Sequence, residues 1–210
     1  MVRSKERRAK ISNLKKSTQH SSEQSDNSAG TRTTLSTQHS IHKIPKFPYK
    51  TDSILTKKHT VVVGIGGNIG DTKRRFQKLF YFLKRDAFLD IVQTSSILQN
   101  PPFGYINQPD FYNAVMILKT NLSPIKLIRY LLKVEKKFKR QREFKNSPRT
   151  LDIDIIFYDK ITYKKSELTL PHPKYKERDS VLLPLNEILK SNKILLKMYN
   201  NKLKSRVLKA

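Results

Sequence analysis

Apolar and polar positions alternate with two different periods along this chain, and the changes of period mark its elements. Val61-Val62-Val63 is a β-branched run that ends in Gly64-Ile65-Gly66-Gly67-Asn68-Ile69-Gly70. It reads as a buried strand entering a glycine-rich loop. Phe76, Leu79, Phe80 and Leu83 then fall at i, i+3, i+4 and i+7, one apolar face of a helix that Asp71 or Thr72 can cap. Residues 88–98 predict a second strand. Asn100-Pro101-Pro102-Phe103-Gly104 ends it, because proline has no N–H to give a ladder. Residues 111–118, apolar on both faces, predict a central third strand. Ser123-Pro124 opens a second helix, with Leu127, Leu131, Val134 and Phe138 as its stripe. Residues 139–147 form a basic loop, 151–158 a fourth strand, and the chain from Glu187 onward a basic helix. The order β-α-β-β-α-β predicts an α+β fold of ferredoxin-like type. That is a two-layer sandwich with helices packed on a mainly antiparallel sheet.

The region before this pattern has a different composition. Residues 1–43 hold fourteen Ser or Thr and few large apolar side chains. They cannot bury enough surface to offset their ordering entropy. Residues 1–58 are therefore expected to be a disordered basic extension, and residues 59–210 the folded domain. The whole chain carries 43 Lys or Arg against 17 Asp or Glu, a formal charge of +26. The extension accounts for +9 of this and the domain for +17, so an anionic ligand or partner is expected. Absence of cysteine excludes a disulfide framework, a thiolate metal site and a cysteine nucleophile. No stretch approaches the roughly 20 apolar residues of a membrane span, and a cytoplasmic protein with no membrane partner is expected.

The clearest chemistry lies in Pro148-Arg149-Thr150-Leu151-Asp152-Ile153-Asp154-Ile155-Ile156. On a strand, Asp152 and Asp154 project from one face while Leu151, Ile153 and Ile155 face the core. Two adjacent carboxylates repel unless a cation lies between them. Oxygen ligands of this kind suit Mg²⁺, which takes one or two carboxylates plus phosphates and water. The plainer alternative is a solvent-facing strand with alternating charge. Lys139, Arg140, Arg142, Lys145 and Arg149 lie just upstream. Guanidiniums beside metal-binding carboxylates make a polyphosphate site; most of the lysines read equally well as a solvated face. His172, held between Pro171 and Pro173, is either structural or a donor to phosphate, and Arg178 can join the same anion site. The glycine-rich run is neither a dinucleotide fingerprint nor a Walker A loop. It allows either a tight backbone path or the close approach of a flat ligand. Asn113, set among apolar residues, either bonds backbone at a sheet edge or reads a heteroaromatic ring, with Phe103 or Phe111 stacking on it.

Several motifs in register resemble the 6-hydroxymethyl-7,8-dihydropterin pyrophosphokinases of folate biosynthesis. They are Gly66-Gly67-Asn68, Asn100–Gly104, Gln108–Ala114, Glu135 ahead of Arg140 and Arg142, Lys145–Ile156, and Pro171-His172-Pro173. The resemblance covers about residues 60–190. It implies transfer of the diphosphate of ATP to the hydroxymethyl group of the pterin, with release of AMP. It implies that Asp152 and Asp154 hold two Mg²⁺ ions, and that Arg140, Arg142, Arg149, His172 and Arg178 serve ATP, with Arg140 and Arg149 catalytic. It places the pterin at Asn68, Asn100, Pro101, Pro102, Phe103, Phe111 and Asn113. The chain departs from the family at Gly67, where Ser is frequent, at Ser147, at Ser180, where an aromatic is frequent, and in having no Trp. A monomer with small-molecule substrates is expected, and the basic extension adds weak, salt-sensitive attraction to nucleic acid. The rival class is a basic ferredoxin-like nucleic-acid-binding module. It lacks the RNP1 string, and two carboxylates on the fourth strand would repel RNA.

Overall fold

In the computed structural model, which describes residues 39–102, 105–140 and 147–203, the sheet is built outward from one long strand. This strand, β3 (His59–Gly67), lies between β6 (Phe111–Thr120) and β7 (Asp152–Tyr158), antiparallel to both. The expected glycine-rich loop is thus mostly strand: Gly64, Gly66 and Gly67 sit inside the ladder. The predicted strand at 88–98 divides into β4 (Leu89–Thr94) and β5 (Ile97–Asn100), which pair with opposite ends of β6. Ser95 and Ser96 cause the division. Ser95 Oγ accepts from the Val115 N–H at 3.0 Å, and Glu187 accepts from the Ser96 N–H and Oγ–H at 3.0 and 2.8 Å. Side chains there take the place of ladder bonds for the Val115 and Ser96 N–H groups. A separate hairpin joins β8 (Tyr163–Lys165) to β9 (Leu168–Leu170).

Alternation along the central strands supplies two apolar faces. Val61, Val63, Ile65, Ala114, Met116, Leu118, Ile153 and Ile155 pack against α1 (Thr72–Lys84) and α2 (Pro124–Lys137). The expected helical stripes supply the other half of this core, and Asp71 Oδ1 caps α1 by accepting from the Arg74 N–H at 2.9 Å. Ser123 makes no such bond, which leaves Pro124 as the start signal of α2. Val62, Val115, Ile117, Ile156 and Phe157 face the other way. They are covered by α3 (Asp179–Ser191) and by Leu195 and Tyr199 of α4 (Lys193–Leu203). The two-layer expectation is therefore corrected. The protein is α+β with an antiparallel sheet, but helices cover both faces. The expected helix at Glu187 in fact begins at Asp179 and carries Pro184 within it, a residue that reads as a stop in sequence.

The boundary expected at Lys58 is also corrected. β1 (Ser40–His42) pairs with β5, and β2 (Tyr49–Lys50) pairs with β4. Phe47, between them, is fully buried, with its ring 5.9 Å from Phe76 and 6.3 Å from Phe80. Two short strands joined by a turn show neither sequence period, so the segment's fold is visible only in its strand pairing and in the burial of Phe47. Residues 1–38 of the expected extension lie outside the described residues, as do Phe103, Arg142 and the rest of the basic loop at 141–146.

Candidate active site

Register across the sheet sets Asn113, Gly66 and Asp152 in one row, with Val115, Gly64 and Asp154 in the next. Directly opposed residues point to the same face, here the face away from α1 and α2. Strands lie about 4.8 Å apart. Asn113 and Asp152 therefore flank a strand that sends up no side chain between them. A Cβ on Gly66 would stand 2.8 Å from Asn113 Oδ1. In the next row Ile156 and Val181 already close over Gly64, at 3.5 and 4.0 Å from the place of a Cβ. The open floor is thus at Gly66, just beyond the end of the α3 cover.

Gly67 is constrained for another reason. A Cβ there would meet the Thr150 carbonyl oxygen at 2.4 Å, with backbone on both sides of the contact. Gly67→Ser should therefore force β3 away from the segment that carries Arg149. The expected cost is about 1–3 kcal/mol, as for other overpacked positions, read as a lower denaturant midpoint. An unchanged midpoint would mean that the backbone can absorb the side chain.

The carboxylate pair stands as the strand period requires. Asp152 Oδ1 lies 2.6 Å from Arg140 Nη2, and its Oδ2 lies 2.8 Å from Arg149 Nη1. Arg140 also donates to Glu135, whose other oxygen accepts from the Ile153 N–H at 2.6 Å. Glu135 is almost wholly buried at the end of α2. It ties that helix to β7 and aims Arg140, a role the sequence reading did not assign to it. Burial pushes the Glu135 carboxyl up, against the pull of Arg140. Asp154 is more open, with Arg178 Nη1 at 3.6 Å from its Oδ2. Burial first, and the charge of Asp152 second, push its carboxyl up to about 6, against Arg178, Arg140 and Arg149. Asp154 is thus less closely paired than Asp152. No group of three or more His, Cys, Asp or Glu that could hold a metal occurs among the described residues. Two carboxylates side by side, with Asp154 held only at 3.6 Å from Arg178, fit a hard cation whose remaining ligands are phosphate and water.

Arg149 joins the two halves of the site. Its backbone N–H donates to Asn68 Oδ1 at 2.8 Å, and its guanidinium lies over the Phe111 ring at 5.3 Å. Arg149 Nε and Thr150 Oγ1 are buried without a partner among the described residues, an arrangement that asks for a ligand. His172 Nδ1 accepts from the Lys174 N–H at 3.2 Å, which places the proton of the neutral ring on Nε2. Burial, and then Arg178, hold the imidazole below its usual range. His172 is therefore poised as a neutral donor.

On the ring side, Asn113 Nδ2 donates to Asn100 Oδ1 at 2.7 Å, and Asn100 Nδ2 donates to the Pro101 carbonyl at 2.8 Å. Pro102 and Phe111 are half-buried, and Pro101 is exposed. Asn68 is held by its neighbours. Its Nδ2 donates to Gln108 Oε1 and the Pro109 carbonyl at 2.9 and 3.0 Å, while Oδ1 accepts from Arg149. Its side chain ties three loops together and holds the wall of the site. The structure so gathers Asn100, Phe111, Asn113, Arg140, Arg149, Asp152, Asp154, His172 and Arg178 around one face.

Comparison with known proteins agrees with this geometry. The chain is 43% identical over 141 residues to a 2-amino-4-hydroxy-6-hydroxymethyldihydropteridine pyrophosphokinase of Helicobacter pylori, covering 66% of this chain and 86% of the relative. The protein of that name from Campylobacter jejuni is 42% identical over 142 residues, covering 68% and 90%. The one from Bacillus subtilis is 34% identical over 126 residues, covering 60% and 75%. The profile of the 7,8-dihydro-6-hydroxymethylpterin-pyrophosphokinase family matches residues 62–190. That span holds β6, β7 and most of β3, the open floor at Gly66, the carboxylate pair and its arginines, and by it the chain belongs to this family.

Proposed function

We infer that the protein transfers the diphosphate of ATP to the hydroxymethyl group of 6-hydroxymethyl-7,8-dihydropterin, releasing AMP, in folate biosynthesis. The relatives' names and the family match support this activity. The observation that carries it to the residues is the row Asn113–Gly66–Asp152. A ring reader stands on one side of a bare strand and a polyphosphate site on the other, so one substrate can lie flat across the floor and meet the second. The strand order β4/β5–β6–β3–β7, with α1 and α2 on one face, supports reading the scaffold as ferredoxin-like. The alternative of a nucleic-acid-binding module has no support in the comparisons.

In this reading Asp152 and Asp154 hold two Mg²⁺ ions, and bound Mg²⁺ neutralises charge on the phosphate oxygens. Arg140 and Arg149 exchange Asp152 for phosphate oxygens as ATP enters. Arg178 steadies the same anion, and His172 donates from Nε2. Asn113 presents its amide edge to the pterin, with Asn100 fixing its orientation and Phe111 and Pro102 as apolar walls. The hydroxyl nucleophile needs in-line placement against the β-phosphorus, and no side chain in the row serves as its base. Rate then comes from positioning and charge stabilisation. The reading includes a cytoplasmic location, where ATP is at hand, and a monomer, because one chain supplies every residue named. No helix among the described residues is long and apolar enough to cross a membrane.

The direct test is Mg²⁺-dependent formation of AMP from ATP that requires the pterin. No AMP, or AMP without pterin, overturns the reading. Arg149→Ala should lower kcat/KM for ATP by about ten- to a hundredfold, since a charged contact is worth about 1.5–3 kcal/mol. Pterin affinity should change little, because the ring is neutral. Loss of pterin affinity with unchanged ATP kinetics would show that Arg149 serves the ring instead.

A further inference from the structure

The family profile begins at residue 62, so β1 lies outside it. Yet β1 is the strand beside β5, whose last residue is Asn100. Ser40, Ile41 and His42 oppose Gln99, Leu98 and Ile97. On the face toward α1, Lys73 Nζ donates to His42 Nδ1 at 3.2 Å. The proton of the His42 ring is thereby on Nε2, which donates to Gln99 Oε1 at 2.9 Å. Gln99 Nε2 donates in turn to Asp110 Oδ2 at 3.0 Å. Three hydrogen bonds run one way, from an ammonium to a carboxylate, across α1, β1, β5 and the residue before β6. The His42 ring also lies 5.6 Å from the Tyr112 ring, and Lys73 Nζ lies over the Tyr112 ring at 5.1 Å.

Gln99 and Tyr112 oppose each other in register. Successive strand residues point to opposite faces. The neighbours of this pair, Asn100, Phe111 and Asn113, therefore emerge on the face of the site. The side-chain chain grips from beneath the two strand ends that carry the ring-binding residues above. An edge strand needs only its backbone ladder to cover a sheet edge. A directed chain that ends at Asp110, next to Phe111, adds side-chain register to it.

We propose that β1, acting through His42, is a positioning element for the ring half of the site, setting affinity for the pterin without touching it. This rests on the reading of that face as the pterin site. The test compares full-length His42→Ala, His42→Gln and Phe47→Leu with the unmodified chain. Pterin affinity is followed by the fluorescence of the pterin with a non-hydrolysable ATP analogue present, and affinity for the analogue is measured alone. Amide exchange at residues 98–100 and 111–113 reads the positioning itself, whether or not a pterin binds. His42→Ala should weaken pterin binding about fivefold, equal to about 1 kcal/mol, speed exchange at those amides, and leave the analogue within about twofold. His42→Gln, which keeps a donor near the Nε2 position, should restore both readouts. Phe47→Leu should lower the melting temperature without changing pterin affinity. Unchanged exchange in His42→Ala would overturn the proposal, as would pterin and analogue affinities falling together. Faster exchange in an enzyme that binds no pterin would uphold the positioning and overturn the ligand assigned to that face.

Discussion

Asp154→Asn should reduce AMP formation on the order of a thousandfold or more, about 4 kcal/mol of barrier, and leave the fold intact. Asp154 lies on the face away from α1 and α2, and its only ion pair among the described residues is the long contact with Arg178. The same substitution should stabilise the ligand-free chain at neutral pH. The carboxyl of Asp154 is raised to about 6 by burial and by Asp152. A raised carboxyl favours the folded state while protonated, and that contribution is lost as pH climbs from the ordinary carboxyl range through 6. The asparagine variant escapes this loss. Its melting temperature should exceed that of the unmodified chain at pH 7 without metal, and the two should converge near pH 4. Asp152→Asn should also abolish turnover but lower stability, because Arg140 and Arg149 then lose the carboxylate they share. Retained turnover in either variant at ordinary Mg²⁺ would sink the metal assignment. A lower melting temperature for Asp154→Asn at pH 7 would remove the electrostatic account of the pair.

How much of this was legible in the sequence depended on the length scale of each signal. Alternation in Leu151–Tyr158 is local, so the outward pair and inward Leu151, Ile153 and Ile155 are visible without a structure. The stripes of α1 and α2 are equally local. The double-faced apolar run of β6 required cover on both sides, but nothing in it says which segment provides the second cover. Pro184 hid the start of α3. The row Asn113–Gly66–Asp152 joins residues 47 and 86 positions apart on either side of Gly66, so it depends on register, which no single strand encodes. The motifs name Asn68 but not its partners: three hydrogen bonds tie its side chain to Gln108, Pro109 and Arg149. Glu135 was visible only as a charge ahead of two arginines. Its burial and its bond to Ile153 make it the anchor of Arg140.

Deletion of residues 1–50 should destabilise the domain by about 3–5 kcal/mol or more, although composition alone marks those residues as a dispensable tail. The deletion removes Phe47, fully buried against Phe76 and Phe80, and loss of a large core aromatic costs about that much. It also strips β1 and β2 from β5 and β4, exposing two paired edges to other chains. For a domain of this size the melting temperature should fall by roughly 6–20 °C, and aggregation should follow. Deletion of residues 1–38 is the matched control. It spares both strands and Phe47, and it takes away eight Lys or Arg and three Asp or Glu. Its melting temperature and its ATP and pterin kinetics should match those of the full chain. Only low-salt binding to nucleic acid should weaken, and that difference should fade near physiological ionic strength, where the Debye length is about 8 Å. Equal stability of the two deletions would show that Phe47 contributes nothing to the core. A more than about tenfold loss of turnover on removing 1–38 alone would show that this segment reaches the site.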